Sequence, residues 1–129
     1  MNRRMFLTAV CAAGLGLPAL AEDWPVGTVQ LTAAQIETLL SGNTTVGAWS
    51  GTGYRQYFAD NGLTIYLAAG SPPDQGKWRV NTGTNQYESW WRNADWAGYT
   101  IVMTNGGYAW VNGDTLETFE IVEGRQLGD

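Results

Sequence analysis

KWRVNTGTNQYESWWR, residues 77–92, decides the fold. Lys77, Arg79 and Asn81 alternate with Trp78 and Val80, and after GTN the beat resumes with Tyr87, Ser89 and Trp91 against Gln86, Glu88, Trp90 and Arg92. A period of two places successive side chains on opposite faces of an extended strand. A three-residue link containing glycine joins two such strands as a hairpin. Adjacent Trp90 and Trp91 cannot both enter one core. The polar set marks the outward face, so the reading puts Trp91 inside and Trp90 outside, between Glu88 and Arg92, where a guanidinium can stack on the indole. Trp96, in the NADWAG link, falls near a rim.

The same beat runs outward in both directions. Strands are expected at 44–50, 53–60, 63–69, 77–82, 86–92, 98–104, 108–112 and 115–122, separated by DNG, GSPPDQG, GTN, NADWAG, NGG and GD. Links this short permit antiparallel hairpins, whereas a parallel crossover needs about a dozen residues. The alternation groups Leu63, Ile65 and Leu67 on an inward face. Tyr99, Ile101 and Met103 oppose Thr100, Val102 and Thr104; Tyr108 pairs with Trp110, and Phe119 with Ile121. On 53–60 both sets are mixed: Tyr54, Gln56 and Phe58 oppose Arg55, Tyr57 and Ala59, and the phase stays open. Before the strands, LTAAQIETLLSG carries a capping box (Thr32, Gln35), a stripe of Ile36, Leu39 and Leu40, and a Gly42 stop, which predicts a helix over 33–41. A meander of about eight short strands must hide its edges, and closing the sheet hides them best. The expected fold is all-β: a small up-and-down antiparallel barrel of lipocalin or calycin type with one short N-terminal helix, ahead of a sandwich or half-barrel.

Residues 1–21 read as an export signal. MNRR is basic, the following stretch is apolar and small, and Ala19-Leu20-Ala21 fits a cleavage site before Glu22. NRRMFLT resembles the twin-arginine signature and equally fits an ordinary secretory start. Both place residues 22–129 in the periplasm or outside the cell as a single domain of 108 residues, with no stable membrane insertion after cleavage. Removing Arg3 and Arg4 leaves five basic residues against twelve acidic ones, a net charge of −7, so no nucleic-acid partner is expected. The sole cysteine, Cys11, leaves with the signal and the chain has no histidine. Packing alone must hold the domain, with no Cys/His zinc site and no Ser–His or Cys–His nucleophile.

The succession SGNTTVG, YRQYFADNG, GKWRV, a Trp-bearing strand and FEIVEG resembles small exported proteins of proteobacteria, uncharacterised families with a G-N-T … Y-F-x-D-x-G … G-K-W-R-V pattern and a lipocalin-like shape. It spans roughly residues 31–124. The pattern carries a cysteine pair around its fifth and sixth strands, where this chain has Tyr87, Glu88, Ala97 and Gly98. It implies a lipocalin-like fold and no catalytic residues. Gly47-Ala48-Trp49 also resembles the lipocalin G-x-W, which implies that Trp49 packs at the closed end against Ile36, Leu39 and Leu40.

Two binding classes and one remote enzymatic class follow. In the first, Tyr54, Trp78, Tyr87, Trp91, Tyr99 and Trp110 line a barrel mouth that takes a small apolar or aromatic ligand; the same rings could equally fill the barrel as core. In the second, exposed Trp90, Trp96, Tyr57 and Tyr66 anchor a periplasmic protein or glycan, as a structural or inhibitor-type domain would. In the third, Glu88 and Asp95 beside tryptophans act as the carboxylate pair of a glycan hydrolase. Glu88 among outward residues and Asp95 in a turn argue against it, and the expectation is a non-enzymatic module. DNG and NGD lack the ligand count of a calcium loop, and neither metal nor cofactor is expected.

Overall fold

The computed structural model describes residues 24–128, so the export-signal reading of 1–21 lies outside the described residues. A two-residue strand β1 (Val29–Gln30) leads into helix α1 (Ala33–Leu40). The capping box is formed: Thr32 accepts from the Gln35 N–H at 3.2 Å while the Gln35 side chain accepts from the Thr32 N–H at 2.9 Å. Gly42 takes a φ of +80°, a left-handed value that ends helices. Ile36 and Leu40 are fully buried, with Leu39 packed beside them. The stripe docks as read.

Nine further strands follow: β2 (Asn43–Trp49), β3 (Thr52–Phe58), β4 (Leu63–Ala68), β5 (Asp74–Asn81), β6 (Gln86–Trp90), β7 (Ala97–Tyr99), β8 (Ile101–Thr104), β9 (Gly107–Asn112) and β10 (Thr115–Val122). All pairs are antiparallel, in the order β1-β8-β9-β10-β2-β3-β4-β5-β6-β7, and the sheet curls into a half-barrel. The count is ten where about eight were expected. One strand is the added β1; the other arises because 98–104 is interrupted at Thr100, which parts β7 from β8. Two hairpins turn on consecutive left-handed residues, Ser50-Gly51 (φ +50° and +88°) and Asn105-Gly106 (+53° and +79°), the pattern whose twist matches that of the strands. Gly47 has a different reason: a Cβ there would come within 2.8 Å of the Thr118 carbonyl, where β10 crosses β2 closely.

The helix plugs one end. Ala33 N–H donates to Asn85 Oδ1 (2.9 Å), Asn43 Nδ2 donates to Leu39 O (2.9 Å), and Gly42 N–H donates to Phe58 O. The helix's Ile36 and Leu40 join Leu31, Phe58, Trp78, Ile101 and Phe119 in one buried cluster. Phe58 is the hub, edge-on to Trp78 and Tyr87 at centroid distances of 5.6 and 5.7 Å. A side chain buried this completely contributes about 1.5–3 kcal/mol by area alone. A smaller cluster of Val102, Ala109 and Val111 lies on the reverse of β8 and β9, covered by Trp24 and Leu116.

Three sequence expectations are corrected. Strand β3 turns Tyr54, Gln56 and Phe58 inward, and its register pairs Gln56 with Tyr66 and Phe58 with Thr64. Directly paired residues share a face, so Thr64 and Tyr66 go in, while Leu63, Ile65 and Leu67 form the outer face of β4. Met103, grouped with Ile101, is exposed. Trp49 is not beside the helix. Strand β2 begins at Asn43 against α1, and six residues of strand carry Trp49 about 20 Å away, to the opposite end.

Candidate functional site

At the end away from α1 the sheet holds a cavity of about 430 Å³. Its wall is built from strand termini: Trp49 closing β2, Tyr54 opening β3, Tyr66 late in β4, Asp74 opening β5, Ser89 and Trp91 at the end of β6, Tyr99 on β7 and Trp110 on β9. Gln56 and Tyr87 form the floor, and Ala94 and Asp95 from the link after β6, with Ala97 opening β7, complete the rim.

The rings brace one another. Tyr54 and Tyr66 stack at 5.3 Å, Tyr66 meets Trp91 edge-on at 6.1 Å, and Trp49 meets Tyr99 edge-on at 5.6 Å. Trp91 lies against the wall because Gly76 beneath it has no side chain: a Cβ there would fall 2.6 Å from the indole. Polar atoms inside pair with one another. Trp110 Nε1 donates to Tyr54 Oη (2.9 Å), Trp91 Nε1 to Ser89 Oγ (3.2 Å), and Gln56 Nε2 to Thr64 Oγ1 (3.0 Å) and Tyr87 Oη (3.1 Å). Burial pushes the Tyr54 hydroxyl up from 10.0 to about 12, against the lowering effect of the Trp110 N–H. Burial likewise raises Tyr87, opposed by Ser89 and Gln56, and raises Tyr66. Among the described residues of the lining, Asp74 and Asp95 are the only acidic side chains and none is basic.

Of the six ring residues read as ligand lining, Tyr54, Tyr87, Trp91, Tyr99 and Trp110 are brought together here. Trp78 is not; it lies deeper in the filled half, 5 % exposed, its Nε1 donating to Ala59 O at 2.8 Å. The sequence reading missed Trp49, Tyr66 and Gln56. Tyr66 had been assigned to the outer surface; the pairing of Gln56 with Tyr66 would have moved it inside once the phase of β3 was known.

Trp90 faces outward as read, but its cation is Lys77, 5.0 Å from the ring centroid, in place of Arg92. Trp96 is covered by the Arg79 guanidinium at 3.7 Å, and Tyr57 has Arg125 at 5.8 Å. None of the three is a bare ring. Each cap is worth about 0.5–1 kcal/mol at an exposed site. Glu88 also faces outward, paired with Arg79 (2.6 Å) and accepting from Asn81 Nδ2 (3.0 Å). The Asn81 hydrogen bond first, then Arg79, holds its carboxyl below the ordinary value. Glu88 thus lies on the outer face with Arg79 and Asn81, and Asp95 on the cavity rim. Among the described residues no three His, Cys, Asp or Glu side chains converge as metal ligands, and no helix is long and apolar enough to cross a membrane.

Compared with protein-family models, curated proteins and solved structures, the chain matches none.

Proposed function

We propose that the protein is an exported, periplasmic binding module, without catalytic activity, that holds a small apolar or aromatic ligand in the ring-lined cup. The observation that carries this reading is the unfilled cavity of about 430 Å³ opposite the helix plug, within the size range of small-molecule sites. Half the interior is packed solid and half is left open. Rings held by fixed partners make a preformed cup, which limits the ordering cost of binding. The finer shape belongs to the same proposal: residues 97–104 act as one bent stave, with β7 on β6, β8 on β9 and the Val111 N–H donating to the Thr100 carbonyl at 2.9 Å, closing a lipocalin-like barrel of eight staves.

Thermal denaturation of the purified protein with indole or naphthalene tests it. A ligand at a hundred times its Kd stabilises by about 2.7 kcal/mol, so the melting temperature climbs with probe concentration. Trp91→Ala, which removes a wall without touching the helix end, abolishes most of that rise. Unchanged melting with every probe, or a rise that survives Trp91→Ala intact, contradicts the cup.

A further inference from the structure

We propose that the ligand carries a positive charge on an apolar body, as an alkylammonium does, held in the ring-lined cup with Asp74 and Asp95 at the mouth; this rests on the cup reading above. Aromatic faces carry negative quadrupole density, so a cation within about 6 Å of several rings is attracted to each. Here Trp49, Tyr66, Trp91, Tyr99 and Trp110 line one cavity of about 430 Å³, so a cation held in it lies beside several rings. The charge around them has one sign. Asp74 and Asp95 line the cavity, and among the described residues no lysine or arginine does. The nearest cations on β5, Lys77 and Arg79, are turned to the outer face and occupied over Trp90 and Trp96.

The Tyr54, Ser89 and Tyr87 oxygens each already accept one hydrogen bond, from Trp110, Trp91 and Gln56, and the Asp74 and Asp95 carboxylates line the same cavity, so a cationic head meets both rings and carboxylate acceptors there.

Calorimetric titration of the purified protein with choline and with dimethylbutanol, its neutral carbon isostere, decides the matter. Choline is expected to bind about tenfold more tightly, the size of effect that desolvated cation–ring contacts give. In the double variant Asp74→Asn, Asp95→Asn, the preference for choline over dimethylbutanol is expected to fall about threefold or more. Equal affinity, or tighter binding of the alcohol, overturns the proposal and leaves the apolar cup standing. Indole binding without choline binding does the same. Failure of all three ligands overturns the proposal and the cup together.

Discussion

Gly76 lies directly beneath the indole of Trp91: a methyl group built on its Cα would approach Cε3 to 2.6 Å and Cδ2 to 2.9 Å, and would also strike the Trp90 carbonyl. The backbone oxygen cannot yield, so the methyl must displace the ring or spread β5 from β6. Gly76→Ala is therefore expected to lower stability by about 1–3 kcal/mol, the cost of overpacking a tight contact, and to weaken probe binding at the same time. Gly53→Ala is the control. Its Cβ would meet nothing nearer than 3.9 Å, and both melting and binding should stay near wild type.

Phe58 ties the helix plug to the cup floor, fully buried and touching Trp78, Tyr87 and Trp110. Phe58→Ala should cost about 3–5 kcal/mol in chemical denaturation. Thr64→Val keeps the volume but leaves Gln56 Nε2 with one acceptor fewer in a buried site, at a cost of about 1–3 kcal/mol.

Alkaline stability follows from the buried phenols. Tyr54 and Tyr87 both hold their protons more tightly in the fold than in the unfolded chain, where the value is 10.0. Their contribution is fully present below pH 10 and is lost as pH rises through the folded values, about 12 for Tyr54. Denaturation midpoints should fall steeply between pH 10 and 12. Ultraviolet tyrosinate absorbance should show Tyr54 and Tyr87 ionising after the less buried tyrosines, and Tyr87→Phe should remove part of the fall.

The capping box sets the helix start. Thr32→Ala removes the acceptor for the Gln35 N–H and should cost about 1 kcal/mol of stability. Because the plug is far from the cup, probe affinity should not change. A loss of affinity equal to that in Trp91→Ala would mean that the two ends are coupled.

Local chemistry made the helix, the hairpin links, the inward Trp91 and the outward Trp90 legible, because capping, turn residues and alternation act over a few neighbours. The phase of β4 was not legible. Its apolar Leu63, Ile65 and Leu67 are half-buried on the outer face, with Ile65 paired to Tyr57 and Leu67 to Arg55, while polar Thr64 is buried within a network whose other members are Gln56 and Tyr87. Such a residue is satisfied by partners on the neighbouring strand, Gln56 and the Tyr57 carbonyl, whose phase alternation left open, so hydropathy alone points it the wrong way. The position of Trp49 failed for a geometric reason: it depends on which way β2 runs from the helix. Five of the six rings assigned to a ligand site converge: Tyr87, Trp91, Tyr99 and Trp110 follow strands whose alternation is decided, and Tyr54 lies on the one whose phase is open. What alternation could not tell was how far down the interior the packing stops, and that boundary separates Trp78 from the cup.

The most direct test uses the indole N–H resonances of the tryptophans in a nuclear magnetic resonance titration with indole or choline. The account predicts that Trp49, Trp91 and Trp110 shift together, while Trp78 in the filled half and Trp90 and Trp96 on the outer face stay still. Shifts confined to Trp90 and Trp96 would contradict the cup and place recognition on the outer wall.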